Sequence, residues 1–195
     1  MGSMAQTNTV WKNVLTVVSR TCVIAGVALL ILSIVLFSAR YNPYRLSFGS
    51  SPQNSALKRP SQAHALTQPV RISLPDVSID LPIVSSTIVG QKWETTDAGV
   101  SYLDLSPIPG ENGNSILYGH NWTQLLGPLV HAQPGQRIYI SYADGSVGTF
   151  QIEATALVAP DDIRILDPSI EPLLTLYTCA GFMDSKRFVV TARKV

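Results

Sequence analysis

One uncharged apolar run near the start of the chain limits what this sequence can fold into. Residues 21–39 read TCVIAGVALLILSIVLFSA, nineteen residues without a charge between Arg20 and Arg40. A helix rising about 1.5 Å per residue would carry this run across roughly 28 Å, close to the hydrocarbon thickness of a bilayer. We therefore predict a transmembrane helix at residues 21–39.

A cleaved signal peptide is the alternative interpretation of this run. The apolar region of a signal peptide is about 7–15 residues long and ends in small residues. Here the run is longer and has Phe37 near its exit, so an uncleaved anchor fits better. Residues 1–20 are interpreted as a short N-terminal tail, of which residues 1–3 are a cloning scar before a native Met4.

The rest of the chain divides into a spacer and one domain. Residues 40–68 are rich in Pro, Ser, Gln and Asn, which predicts a flexible linker. Residues 69–195 are enough for one compact domain with its own core. The formal net charge of +1 is too small to indicate a nucleic-acid partner.

Short strand patterns fill this domain and predict an all-β fold. Eight segments are rich in β-branched and aromatic residues: VRISL, SIDLPIV, GVSYL, NSILYG, RIYISY, GTFQIEATALV, LLTLYT and RFVVTA. Asp144-Gly145 predicts a hairpin turn after RIYISY, and short helices are expected only near Val89–Thr95 and Thr123–Leu129. Eight strands in so small a domain predict a closed barrel, because closure removes exposed edges.

A cysteine and an arginine face each other across the last predicted hairpin. Cys22 lies in the predicted span, so Cys179 has no partner for a structural disulfide and is either a reactive thiol or a small buried apolar side chain. Strand alternation puts Cys179 and Arg187 on one face, opposite the more apolar set, at the mouth of the loop AGFMDSK. A nearby cation favours a thiolate, and a guanidinium can stabilise an oxyanion. A solvated charge at a strand end is the alternative for Arg187.

Cysteine nucleophiles usually work with an imidazole, and the chain offers three. His64 lies in the predicted linker, and His131 sits at a helix–turn boundary, where a surface or capping role is expected. His120 ends the strand NSILYG directly before a loop, where side chains often line a site. His120 is therefore the best acid or base partner for Cys179, although alternation in its strand does not fix its face.

Three ordered motifs give the chain a family resemblance. Thr175–Cys179 matches a T-L-x-T-C signature, Arg187–Val190 an R-x-V-V run, and Gly113–His120 a G-N-x-x-x-x-G-H stretch. Together with the early segment RISLPDVSIDLPIV, they resemble the sortase family over nearly all of residues 70–195.

The resemblance implies a sortase-like barrel and a cysteine transpeptidase. Cys179 would attack a sorting motif near the C-terminus of a secreted protein and form a thioacyl-enzyme. His120 would transfer protons, Arg187 would bind the motif and the oxyanion, and Thr178 and Ala180 are expected to contact substrate. An amine of a cell-wall precursor or of a pilin would resolve the intermediate.

The resemblance also implies a single-pass protein of a bacterial cytoplasmic membrane, with a cytoplasmic N-terminus and an extracytoplasmic catalytic domain. Basic residues flank the predicted span on both sides, so their count alone does not set this orientation. No cofactor or required metal is expected, and calcium is left as an option. Calcium-dependent sortases use carboxylates before the strand that leads to the histidine and in the loop before the cysteine strand. The six carboxylates in those regions here lack a convincing ligand spacing: Asp104, Glu111, Asp161, Asp162, Asp167 and Glu171.

Two other functions remain open from the residues. An L,D-transpeptidase is also a membrane-anchored cysteine enzyme, but that family has His-Gly directly before its cysteine, whereas this chain has Tyr177-Thr178. A non-catalytic, membrane-tethered β-domain that binds wall polymer or a partner protein is the alternative from a different class.

Overall fold

The computed structural model describes residues 3–40, 46–47, 67–89 and 92–195. The chain divides into two compact units, Met1–Asn42 and Pro43–Val195. Most of the predicted linker, including His64, lies outside the described residues, as do Met1 and Gly2 of the predicted scar.

A single long helix, α1, forms the first unit and runs over Ser3–Arg40. Within it, Leu15–Ser38 is long and apolar enough to cross a membrane. Arg20 lies near one end of this stretch, where a long side chain can reach the polar interface. The helix is therefore consistent with a membrane anchor around the predicted span at residues 21–39.

Ten strands lie in the described part of the second unit. They are, in chain order, β1 (Pro69–Leu74), β2 (Ile79–Ser86), β3 (Ile88–Val89), β4 (Lys92–Trp93), β5 (Val100–Leu103), β6 (Gly113–Gly119), β7 (Arg137–Tyr142), β8 (Val147–Val158), β9 (Pro172–Ala180) and β10 (Lys186–Lys194). Eight of them close into a barrel in the order β1–β2–β5–β6–β9–β10–β8–β7, with β7 pairing back to β1. The pairs β2–β5 and β6–β9 are parallel, and the other barrel pairs are antiparallel. The predicted all-β fold with an eight-stranded closed barrel is thereby confirmed.

The predicted turn is confirmed, whereas one predicted helix is wrong. In the turn between β7 and β8, Gly145 has φ 83° and the Asp144 carboxylate accepts a hydrogen bond from the Ser146 N–H at 2.9 Å. In place of a helix at Val89–Thr95, β3 and β4 pair as a small antiparallel sheet. This arrangement buries Trp93 completely and leaves Lys92 in solvent, a separation of faces that two-residue alternation provides.

In the connections that the structure describes, 3-10 helices occur at Pro75–Val77, Gly127–His131, Ile163–Leu166 and Phe182–Asp184. The one at Gly127–His131 overlaps the second predicted helix, Thr123–Leu129, and begins later because Pro128 is tolerated in a first helical turn but not in a helix interior.

Two apolar clusters lie on opposite sides of the strands that carry the cysteine motif. The interior cluster fills the barrel and includes Leu174, Leu176 and Val190. The outer cluster contains Leu46, Trp93, Leu103, Ile116, Tyr118, Leu166, Tyr177, Cys179 and Val189. Because both faces of β9 are covered, its residues from Leu174 to Ala180 are all buried.

We expect the barrel to fold without α1, and residues 43–195 to be more stable than residues 68–195. The longer fragment retains Leu46, which is 1% exposed and belongs to the outer cluster. Burying one leucine contributes about 1.5–3 kcal/mol, so the free energy of unfolding should differ by about that amount in urea denaturation. Equal stabilities would show that Leu46 does not pack on the barrel in solution.

Candidate active site

The strand register brings the three predicted site residues into one row. Cys179 on β9 lies directly opposite Arg187 on β10. On the other side of β9, Gly119 at the end of β6 pairs with Thr178 in the parallel register. Since His120 follows Gly119 as Cys179 follows Thr178, His120 continues the row beside the cysteine. Neighbouring strands are about 4.8 Å apart, so the three residues occupy adjacent positions at one end of β6, β9 and β10.

All three residues belong to the outer side of the barrel sheet. Cys179 is part of the outer cluster, together with Tyr118 on β6 and Val189 on β10. His120 lies two residues after Tyr118, and Arg187 lies two residues before Val189. Because side chains alternate along a strand, both are placed on the face that carries Cys179. The prediction that Cys179 and Arg187 share the face opposite the barrel core is confirmed. Cys179 belongs to the outer cluster, and Arg187 is its direct partner in the β9–β10 pairing.

Stacked aromatic rings form the floor beside the cysteine. The rings of Tyr118 and Tyr177 stack with centroids 5.5 Å apart, and the Trp93 ring meets both edge-on. Burial raises the pKa of both tyrosines, so their hydroxyls stay protonated and donate hydrogen bonds. Tyr118 donates to the carbonyl of Glu94 and Tyr177 to that of Leu46. The floor thus also fixes the segments that cover it.

A compact turn holds His120 after the end of β6. The carbonyl of His120 accepts from the Leu126 N–H at 3.0 Å, and the carbonyl of Trp122 accepts from the Leu125 and Gly127 N–H groups, each at 2.9 Å. Gly127 is needed here, because a Cβ would come within 2.7 Å of the Trp122 carbonyl oxygen. The Trp122 ring stacks on the His120 ring at 4.6 Å with an interplanar angle of 12°.

Trp122 is a partner of His120 that the strand and motif patterns do not predict. An aromatic residue two positions after a histidine at a strand end is a usable signal, but only the turn brings the two rings into contact. The half-buried His120 ring is thereby held at one face while it remains partly accessible.

The guanidinium of Arg187 is buried and bonded to the backbone of the neighbouring loop. Arg187 is 4% exposed, and its Nη1 donates to the carbonyls of Asp184 at 3.0 Å and Lys186 at 3.1 Å. A buried cation is costly unless it is hydrogen-bonded, so these contacts offset part of its desolvation. The solvated strand-end charge considered for Arg187 is therefore wrong.

The two predicted substrate contacts lie in the same strand end. Thr178 is completely buried, and its hydroxyl donates to the Gly119 carbonyl at 2.8 Å across the parallel pair. Ala180 is 9% exposed and pairs with Lys186. Thr178 is paired with Gly119 on one side and with Phe188 on the other, so its backbone is held within the sheet just as its hydroxyl is.

The thiol itself is covered. Cys179 is 1% exposed, and the outer cluster around it includes Leu46, which precedes the barrel in the chain. Leu46 is tied down by the Tyr177 hydroxyl at 3.1 Å, and the following Ser47 hydroxyl accepts from the Trp93 N–H at 3.1 Å. Leu46 and Cys179 are far apart in the chain, so no local sequence pattern predicts that they belong to one cluster.

Two of the six carboxylates considered as calcium ligands pair with arginines instead. Asp162 pairs with Arg164 at 2.7 Å, and Glu171 pairs with Arg193 at 2.7 Å. Among the described residues, no three His, Cys, Asp or Glu side chains form a group that could hold a metal ion. His131 ends its 3-10 helix and is exposed, in agreement with the surface role predicted for it.

A comparison with known protein families covers nearly the whole of the barrel domain. A family model for the sortase domain matches residues 72–195, more than half of the chain. The chain belongs to the sortase family. The closed barrel is the sortase fold, and transpeptidation is the activity associated with that family.

Characterised relatives are distant and longer than the matched part. The chain is 28% identical to sortase A of Bacillus anthracis over 124 residues, which cover 62% of this chain and 56% of that protein. It is 29% identical to sortase A of Streptococcus agalactiae serotype III (strain NEM316) over 154 residues, or 75% of this chain and 60% of that protein. The matches therefore span less than two thirds of the length of these relatives.

Solved structures show the same barrel. Sortase A from Corynebacterium diphtheriae matches with a TM-score of 0.59 and 24% identity, over 84% of this chain and 83% of that one. A lid mutant of the same sortase matches with a TM-score of 0.58 and 26% identity, over 85% of this chain and 94% of that one.

Replacing Thr178 tests how β6, which leads to His120, is fixed to β9, which carries Cys179. Thr178→Val removes the hydroxyl that bonds the Gly119 carbonyl, and we expect the free energy of unfolding to fall by about 1–3 kcal/mol. Thr178→Ser keeps the hydroxyl and should lose less. Thr155→Val, at a half-buried position of β8, is the matched control. If urea denaturation shows equal effects of the two valine substitutions, the bond is not a strong link between β6 and β9.

Proposed function

We propose that this chain is a sortase-type transpeptidase that works through a thioacyl-enzyme on Cys179. The observation that carries the proposal is the row formed by His120 directly after β6, Cys179 on β9 and Arg187 on β10. An imidazole on one side of the thiol supplies a proton-transfer group, and a guanidinium on the other side supplies an oxyanion donor. Both can then act on the carbonyl group that the thiol attacks. Packing alone does not require this set.

The acylation step follows from the chemistry of the three groups. The Cys179 thiolate attacks the scissile carbonyl, and Arg187 stabilises the negative charge that develops on the carbonyl oxygen. His120 gives a proton to the departing amine as the C–N bond breaks. The products are a thioester on Cys179 and a released peptide amine.

The second step reverses these roles with a new amine. His120 takes a proton from the incoming amine, which attacks the thioester, and the thiolate of Cys179 leaves. The new amide joins the secreted protein to the amine. We propose a cell-wall precursor or a pilin lysine as the amine and a C-terminal sorting motif as the acyl donor.

The anchor and the chemistry suggest where the reaction takes place. Substrates of this kind lie outside the cytoplasmic membrane, so we place the N-terminus in the cytoplasm and the barrel outside. The proposed domain limits are a tail at residues 1–20, a span at 21–39, a linker at 40–68 and the catalytic barrel at 69–195. Thr178 and Ala180 remain predicted substrate contacts through the strand end that bears the thiol.

Family membership removes one alternative. An L,D-transpeptidase belongs to a different family, so that interpretation is dropped. A sortase-like barrel that only binds wall or protein partners is the alternative that experiment has to separate from an enzyme.

We expect the Cys179 thiol to carry the acyl group. The full chain with Cys22→Ser, in detergent, is incubated with a pooled peptide library and a primary amine. Intact-mass spectrometry should show a peptide adduct on Cys179 and amine-terminated products. Cys179→Ala should give neither, and His120→Ala should slow turnover by about 10²–10⁴.

Arg187→Ala should lower the rate by about 10²–10³, as expected for an oxyanion donor. Arg187→Lys should restore little, because an ammonium cannot reproduce a planar fork that reaches two acceptors. Amine-terminated product from Cys179→Ala at the wild-type rate would contradict the proposal. A wild-type chain that forms no adduct with any peptide would support the binding-only alternative.

The cover over Cys179 predicts that loosening Leu46 exposes the thiol. The sortase A from Corynebacterium diphtheriae to which this chain is similar is known in a lid-mutant form, and Leu46 is the corresponding candidate here for a removable cover. In the Cys22→Ser background, Leu46→Ala should raise the rate of Cys179 alkylation by about tenfold or more, since losing most of a buried leucine weakens the closed state by over 1.4 kcal/mol.

Leu105→Ala, the same change at a 37% exposed leucine, is the control and should leave the alkylation rate unchanged. The rates are measured with iodoacetamide by mass spectrometry. An unchanged rate in Leu46→Ala would mean that the thiol is reached without moving this residue.

A further inference from the structure

The loop between β9 and β10 has an uncommon backbone. Met183 has φ 50° and Asp184 has φ 61°, so two consecutive residues with side chains occupy the left-handed region. Residues other than glycine seldom adopt this region, and such conformations persist where the surrounding structure holds them. They often mark functional sites, and this loop joins Cys179 to Arg187.

Asp184 contacts both sides of the proposed site. Its carboxylate oxygen Oδ1 accepts from Asn121 Nδ2 at 3.2 Å, and its backbone carbonyl accepts from Arg187 Nη1 at 3.0 Å. Asn121 directly follows His120, within the turn closed by the bond from the Leu126 N–H to the His120 carbonyl. One half-buried residue therefore links the histidine turn to the guanidinium.

The left-handed backbone is what allows both contacts. It turns the Asp184 carbonyl back toward Arg187 while the carboxylate reaches the turn after β6. The carbonyl of Lys186 accepts from the same Nη1 at 3.1 Å, so the loop backbone directs this nitrogen. A change in the loop conformation would move the guanidinium relative to Cys179, and a displacement of about 1 Å can lower a rate about 10²-fold.

We propose that Asp184 is a positioning residue that sets the placement of Arg187 relative to His120 through its bond to Asn121. The role rests on the proposed function of these two residues. Asp184 does not touch the reacting atoms, and its carboxylate acts as a hydrogen-bond acceptor rather than as a charge.

This role makes distinct predictions for four variants of the full chain in detergent. Asp184→Gly removes the acceptor and tolerates the left-handed backbone, and Asn121→Ala removes the donor. Each should lower kcat by about tenfold to a hundredfold and change KM by less than about threefold. Asp184→Asn keeps an acceptor oxygen and also tolerates this conformation, so it should retain activity. The double variant should be no worse than either single variant, because both break one link.

Ser185→Ala, in the same loop at an exposed position, is the control and should behave like wild type. Wild-type kcat in both Asp184→Gly and Asn121→Ala would overturn the proposal, as would losses that add in the double variant. An Asp184→Asn variant as slow as Asp184→Gly would replace the acceptor role with a charge role and overturn it as stated.

A second measurement does not depend on catalysis. The exchange of the Arg187 guanidinium hydrogens, followed by ¹⁵N NMR of the full chain in micelles, should be slow in wild type and Asp184→Asn. It should be faster in Asp184→Gly and Asn121→Ala. Unchanged exchange in the last two variants would overturn the role of the Asp184–Asn121 bond, even if no peptide is turned over. Faster exchange without any turnover would support that role and reject the proposed transpeptidase.

Discussion

The parallel pairing of β6 with β9 sets the position of everything else in the candidate site. It brings Gly119 opposite Thr178, although the two residues are far apart in the chain, and the Thr178 hydroxyl adds a bond to the Gly119 carbonyl. Lower in the same pair, the Thr175 hydroxyl donates to the Asn114 side-chain oxygen at 2.7 Å. A slip of one residue would turn every side chain of β9 to the other face, so these buried polar contacts help to specify which residue stands beside the cysteine.

The other side of β9 is fixed more simply. The β9–β10 hairpin is local in sequence, and its antiparallel register places Cys179 opposite Arg187. The site therefore combines one short-range pairing with one long-range pairing. The loop that closes the short-range pair is also where the backbone is least ordinary, since Met183 and Asp184 have positive φ values. The hydrogen bonds that Asp184 accepts from Asn121 and Arg187 offset the strain in this loop.

The covered thiol links the fold to the proposed activity. The outer cluster buries Cys179 beneath groups that come from three parts of the chain, namely the Leu46–Ser47 segment, the β3–β4 hairpin and the 3-10 helix Ile163–Leu166. Such a cluster stabilises the barrel, but a nucleophile must meet its substrate. The proposed transpeptidation therefore requires this cover to move. The Leu46–Ser47 segment is held by the packing of the Leu46 side chain and by hydrogen bonds from the Tyr177 hydroxyl and the Trp93 N–H, rather than by strand pairing. A contact of this kind opens at a lower free energy than the barrel itself.

The sequence alone determined the long apolar helix, the eight strands, the hairpin turn at Asp144-Gly145 and the shared face of Cys179 and Arg187, because these depend on local apolar runs, turn residues and two-residue alternation. It also carried the motifs that place the chain in the sortase family. It could not show that Val89–Thr95 forms a strand pair, since that depends on burying Trp93 against distant residues. The face of His120, the burial of Arg187 and the cover by Leu46 were likewise decided only by the tertiary structure. The face of His120 results from the parallel β6–β9 pair, and the cover by Leu46 comes from a segment far away in the chain. The Arg187 guanidinium is bonded within its own loop, but those bonds depend on the positive φ of Asp184, which no residue pattern in the loop predicts.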